Sequence, residues 1–183
     1  MIYRKLFHLL TLFLIIPVLI LDKEGRIIFS ILFLLTVFLI DTLRLESKSF
    51  RKIFMILFGG MLKKHEYREY TGSTYLAISY VLINLLFEKE IIIFSMLILT
   101  ICDPIAAIIG TYTKPNIKIF KKSLNGLIGF YLAGIIISLI FFPNLSLTAK
   151  ILAVLISGIV EIFTPIDDNL AIPITSSIIL KLS

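Results

Sequence analysis

Residues 91–112 read IIIFSMLILTICDPIAAIIGTY, an apolar run of helical length with one acid and one proline set inside it. About 20 such residues suffice to cross a bilayer core. Asp103 is the anomaly, because an ionisable side chain within an apolar span is costly and by default marks a functional site. Pro104 removes a backbone donor and frees the carbonyl one turn earlier, which predicts a broken helix at Asp103-Pro104 lining a polar cavity. The bland alternative is a kinked helix whose acid is neutralised by a neighbouring basic side chain. From Gly110 the chain enters a lysine-rich loop that ends in Lys121-Lys122-Ser123-Leu124-Asn125-Gly126.

The rest of the composition points the same way. Hydrophobic residues make up 58% of the chain, charged ones 16%, and the mean hydropathy is +1.04. We read an all-α, polytopic integral membrane helical bundle, a single transmembrane catalytic domain over residues 1–183. Apolar runs at 6–21, 27–43, 75–87, 91–112, 124–142, 149–164 and 170–182 predict about seven transmembrane helices. The segment 53–62 is too short to cross and ends near Gly59-Gly60, so it reads as interfacial or re-entrant. The first run lacks a small-residue cleavage site and reads as a retained span. Cys102 is the one cysteine, which excludes an intrachain disulfide and a thiolate metal cluster.

Charge sets the expected orientation. The net charge of +6 reads as loop lysines and arginines, with no aromatic-interleaved basic stripe of the kind nucleic-acid binding needs. Basic residues concentrate at Arg4 and Lys5, in the 44–68 stretch, and at 114–122. The positive-inside rule then puts the N-terminus in the cytoplasm and, with seven spans, the C-terminus outside. Residues 4–8, 44–74, 113–123 and 164–169 all fall on the cytoplasmic side, so a multi-pass protein with a cytoplasmic active site is expected.

Four further groups carry candidate chemistry. Lys121-Lys122-Ser123 reads either as snorkelling lysines with a helix cap or as a phosphate cradle, with Gly126 allowing close approach. Glu161 with Asp167-Asp168-Asn169 reads as an acidic turn or as Mg²⁺ ligands, since adjacent carboxylates repel and a divalent ion relieves them. Glu66 with Thr71, Gly72, Thr74 and Tyr75 is a capped helix start or a set of contacts to a nucleotide or headgroup. Arg4 and Lys5 with His8 anchor the first run, and His8, one turn after Arg4, is a minor candidate for proton transfer.

Taken in order, Arg4-Lys5-x-x-His8, Glu66 with Thr71-Gly72-x-Thr74-Tyr75, Asp103-Pro104-x-Ala106 with Gly110, Lys122-Ser123-x-x-Gly126, and Glu161 with Asp167-Asp168-Asn169 resemble a known membrane family. It is the family of CTP-dependent lipid kinases: dolichol kinase, phytol kinase and the yeast-type diacylglycerol kinase, related to the membrane CTP transferases. The resemblance implies transfer of the γ-phosphoryl group of CTP to a membrane lipid alcohol such as a polyprenol, a phytol-like prenol or diacylglycerol. It implies Mg²⁺ on Asp103 with Asp167 or Asp168, and the triphosphate on Lys121, Lys122 and Ser123. Glu161 or Asp168 would accept the hydroxyl proton. Glu66, Thr71, Gly72, Thr74 and Tyr75 would shape the nucleotide pocket, with Arg4, Lys5, His8 and Gly126 around it. Two departures stand out: Asn125 where the family often has glutamate, and no second glycine after Gly110. The rival readings are a cytidylyltransferase forming CDP-lipid and a small ion or solute transporter built on Asp103 and Glu161. Neither the particular alcohol nor the oligomeric state is encoded in the apolar runs.

Overall fold

A computed structural model describes residues 8–115, 117–120 and 122–183. Arg4, Lys5 and Lys121 therefore lie outside the described residues. The helices are α1 His8–Ile20, α2 Lys23–Glu46, α3 Lys48–Phe58, α4 Gly72–Leu86, α5 Lys89–Tyr112, α6 Leu124–Ile140, α7 Leu147–Phe163 and α8 Asp168–Leu182. Ahead of α6 lies a small antiparallel hairpin, β1 Lys118–Ile119 and β2 Lys122–Ser123, which pairs Ile119 with Lys122.

Local chemistry sets most of the helix starts. The Asp22 carboxylate accepts from the Gly25 amide, and the hydroxyls of Ser47, Ser123 and Ser146 accept from the amides of Phe50, Gly126 and Ala149. Each satisfies an amide that the first helical turn leaves without a partner. At the far end of α6, the buried Lys150 donates to the carbonyls of Phe141 and Phe142, closing the corner into α7.

The helix α8 is central, packing on α7, α4 and the first half of α5, while the second half of α5 packs on α6. Glycine makes that last approach possible. A Cβ on Gly126 would lie 2.7 Å from the Ala106 carbonyl oxygen, and one on Gly110 would run into the Ser123 hydroxyl. The core gathers Tyr80, Ile92, Phe94, Met96, Leu99, Phe130 and Ile172.

The expected architecture needs correction. Among the described residues only α2 and α5, of 24 residues each, are long and apolar enough to cross a membrane, not about seven helices. The others have apolar sequence but not the length: helices of 15–17 residues rise only about 22–26 Å against a core of about 30 Å. Even α5 buries 67% of its most apolar stretch inside the protein, whereas α2 buries 17%. Apolarity there serves the core, and a hydropathy reading does not distinguish that from lipid. The seven-span polytopic bundle is thus overturned, and the outward C-terminus, which rested on seven crossings, falls with it.

The break at Asp103-Pro104 is also absent. Helix α5 runs through it as a π-helical segment, Ile98–Cys102, followed directly by α-helix from Asp103. The wider turn accommodates the missing Pro104 donor without interrupting the helix.

We expect Gly126→Ala to destabilise the fold by about 1–3 kcal/mol through overpacking against the Ala106 carbonyl. Gly60→Ala, with nothing within 4 Å of its Cβ, should leave the thermal midpoint unchanged. Equal melting curves for the two variants would contradict this account of the α5–α6 contact.

Candidate functional site

Lys122, at the end of the hairpin, reaches into a group of three carboxylates. Its Nζ lies 2.8 Å from Glu161 Oε1 on α7, 2.9 Å from Asp168 Oδ2 at the start of α8, and 3.7 Å from Asp103 Oδ1 on α5. One ammonium therefore joins the hairpin and three helices. Burial alone would lower the Lys122 pKa, but Asp103, Glu161 and Asp168 outweigh it and hold the ammonium well above its ordinary range. Asp168 responds in the opposite sense. Burial raises its pKa and Asp103 adds to that, while Lys122 only partly compensates, so the carboxyl ends above the usual carboxylate value.

A second knot surrounds Asp167. Its Oδ2 accepts from Lys63 Nζ at 2.9 Å, and its Oδ1 accepts from both the Asn169 amide and Asn169 Nδ2. Burial favours the neutral acid, but Lys63 and the Asn169 donors prevail and lower the Asp167 pKa. The same bonds turn Asn169 so that its Oδ1 meets His8 Nε2 at 2.8 Å, with Asp103 Oδ2 at 3.8 Å from that nitrogen. The proton belongs on Nε2, and His8 Nδ1 is left without a hydrogen-bond partner among the described residues.

A third knot holds the loop before α4. Asp41 and Arg44 are buried together, 2.8 Å apart, one turn from each other on α2. Asp41 Oδ2 accepts from the Thr71 amide, the Thr71 hydroxyl and the Thr74 hydroxyl at 2.7–2.8 Å. Arg44 donates to the carbonyls of Glu66 and Glu69. Glu66 is itself buried, its two oxygens accepting from the amides of Lys63 and Gly72. A Cβ on Gly72 would come within 2.5 Å of Asn169 Nδ2, so glycine lets this loop reach α8.

The three knots enclose a cavity of about 300 Å³. His8, Lys63, Asp103, Lys122, Asp168 and Asn169 give it a polar wall, and Val37, Ile40, Phe54, Phe58, Leu62 and Leu76 an apolar one. A site that fixes a polar head and accommodates an apolar body has this composition.

Of the residues singled out from sequence, Asp103, Lys122, Asp168, Glu66, Thr71, Gly72 and His8 border this cavity. Glu161 and Asp167 do not line it; Glu161 pairs with Lys122 and Asp167 with Lys63, both of which do. The Thr71 and Thr74 hydroxyls already donate to Asp41, and Tyr75 does not line the cavity. Ser123 caps α6, and Gly126 packs on α5. Asn125, where the lipid kinases that the sequence resembles often have glutamate, donates its amide to the Pro115 carbonyl, a bond that an ionised glutamate has no proton to make. The expected metal set is split, since Asp103 and Asp168 share Lys122 whereas Asp167 pairs with Lys63. Ligand atoms of His65, Glu66 and Asp167 do converge to within 4.8 Å, but the Asp167 and Glu66 oxygens there already accept from Lys63, Gly72 and Asn169.

Sequence reasoning missed Asp41 and the partners of Arg44 and Lys63, both of which it read only as topological charges. The signal was available: Asp41 is an acid in an apolar run, like Asp103, with an arginine three residues on.

Comparison with known proteins adds relatives without roles. Over 125 residues, 66% of this chain and 63% of the relative, the chain is 34% identical to an uncharacterized protein of Methanocaldococcus jannaschii. Over 112 residues, 57% of the chain and 54% of the relative, it is 30% identical to an uncharacterized protein of Rickettsia prowazekii. The chain thus spans less than two thirds of the length of either curated relative. No protein-family profile matches it, and no solved structure does.

Because Asp41 and Arg44 are buried, removing one charge strands the other. We expect Asp41→Ala and Arg44→Met each to cost about 3–5 kcal/mol. The double variant should lose clearly less than the sum of the two. Additive losses in denaturant titrations would show that the pair does not act as a unit.

Proposed function

We propose that this protein phosphorylates a membrane lipid alcohol, with CTP as the donor, at the cytoplasmic surface of a membrane. The observation that carries the reading is the position of Lys122, which lies against Asp103 and Asp168 in a cavity also lined by Val37, Ile40, Phe54, Phe58, Leu62 and Leu76. Phosphoryl transfer requires positioning and charge neutralisation more than covalent help from the protein. CTP, rather than another nucleotide, follows from the family resemblance. The surface of α2 supports a membrane setting. Ile28, Leu32, Leu35 and Leu39, spaced to fall on one helical face, each leave 57–58% of their surface uncovered.

The residues present fit a magnesium ion. Asp103, Glu161 and Asp168 gather around a single ammonium in a largely buried place. The donors are all oxygens, as Mg²⁺ prefers. Asp103 with Asp168 would hold the ion, Asp167 being engaged by Lys63 and Asn169, and when bound it would neutralise charge on the phosphates. Lys122, with Lys121 next to it in sequence, would steady the triphosphate. The hydroxyl oxygen of the lipid bonds to the γ-phosphorus as the bond to the β–γ bridging oxygen breaks and CDP leaves. The hydroxyl proton passes to a carboxylate. Of Asp168 and Glu161, Asp168 borders the cavity, while Glu161 acts through its hold on Lys122. His8 Nε2 bonds to Asn169 and lies 3.8 Å from Asp103 Oδ2, beyond hydrogen-bond distance.

The deciding experiment supplies Mg²⁺, mixed prenols, diacylglycerol and phosphatidate, with CTP labelled at the α or the γ phosphate. We expect label to reach lipid only from the γ position. Transfer from the α position would make the protein a cytidylyltransferase, and transfer from neither would overturn the reading. Asp103→Asn and Asp168→Asn should each lower turnover by about 100-fold or more while the melting temperature holds. Retained activity in either variant would remove that residue from the assignment.

A further inference from the structure

No residue of Lys48–Phe58 is buried, and Ile53, Ile56 and Leu57 leave 59–76% of their surface uncovered. At 100° per residue these three continue the apolar face that includes Phe50, Phe54 and Phe58, while Lys48, Arg51 and Lys52 fall on the opposite side. The apolar face is divided between two tasks. Phe54 and Phe58 close the cavity, and Ile53, Ile56 and Leu57 point away from it.

The helix is anchored at one end only by polar contacts. Arg51 donates to the carbonyls of Arg44 and Leu45, and the Arg44 guanidinium lies 5.4 Å from the Phe54 ring centre. Lys48 and Lys52 are thereby left to face outward. Lys64 and Arg68 on the following loop are exposed as well, against Glu46 and Glu69 as the exposed acids of the 44–70 stretch. A basic amphipathic helix with an uncovered aliphatic edge is the pattern that binds an anionic lipid surface. Its place in the fold agrees, since α3 begins at the end of α2, whose own uncovered apolar stripe would occupy the adjoining acyl region. A re-entrant loop is a poorer fit, because such a segment needs protein or water-filled cavity around its backbone.

We propose that α3 lies in the headgroup layer of an anionic bilayer, with Ile53, Ile56 and Leu57 at the acyl boundary and Lys48 and Lys52 on lipid phosphates. Because Phe54 and Phe58 belong to the same helix, seating it on the bilayer also sets the position of one cavity wall. This inference does not depend on which reaction the cavity performs.

The test uses the full chain carrying Cys102→Ser and Ile56→Cys, labelled with an environment-sensitive fluorophore at position 56. It is reconstituted into nanodiscs of zwitterionic or of anionic lipid. In anionic discs we expect blue-shifted emission and quenching by lipids brominated on the acyl chain. The ratio of seated to unseated helix should fall about fivefold for each of Lys48→Gln and Lys52→Gln. Emission typical of water in both lipids would overturn the proposal. So would an equal shift in both lipids that ignores the lysines. A shift that follows protein concentration and resists brominated lipid would show that a second copy covers the face, and would overturn it too. Hydrogen exchange of residues 53–58 in the unsubstituted chain gives the same comparison should Cys102→Ser impair folding; greater protection in anionic discs is expected, and equal exchange rejects the proposal.

Discussion

The ammonium of Lys122 is the contact on which the arrangement of the site depends. Asp103, Glu161 and Asp168 come from three helices and would repel one another if brought together alone. A cation placed among them by the hairpin makes that convergence tolerable. The carboxylates hold the lysine more firmly protonated than usual, and burial, with Asp103 adding to it, makes Asp168 a weaker acid than usual. An arrangement built only for stability would more often be neutral, or apolar, since burying charges costs more than most ion pairs return.

The other wall rests on the Asp41–Arg44 pair, whose role is architectural. Between them the two side chains accept from or donate to Thr71, Thr74, Glu66 and Glu69, and so fix a loop that has little apolar core of its own. That loop then supplies Lys63 to Asp167 and the glycine that Asn169 packs against. Asp167 and Asn169 pass the constraint on to His8 and the wall beside Asp103. The cavity is thus bounded by groups whose hydrogen bonds are largely spent on one another.

Around this polar interior the apolar residues divide between two uses that sequence does not separate. In α5 they face other helices and form the core, whereas in α2 and α3 they remain uncovered. The π-helical turn ahead of Asp103 belongs to the first use. It lets a helix with an internal proline continue through the core while carrying an acid to the cavity.

Sequence alone determined where the helices lie, because apolar periodicity and serine and aspartate caps are local properties. Each apolar run from the first to the last became a helix, and Ser123 starts its helix as its residue type predicts, while the structure adds Ser47 and Asp167 as the caps of α3 and α8. It also picked out Asp103, Lys122 and Asp168, since charged groups beside or within apolar runs are costly unless they have a use. It did not determine how many helices can span a bilayer, because hydropathy averages hide which apolar side chains the protein covers itself. Nor did it separate Thr71, Thr74 and Ser123, whose hydroxyls serve the fold, from the groups that face the cavity. Tertiary structure alone decided that Asp41 would claim the threonines and that Lys122 would pair with Glu161, 39 residues away. The physical reason is range: caps and periodicity act within a turn or two, while the partners of a buried charge are chosen by the whole packed chain.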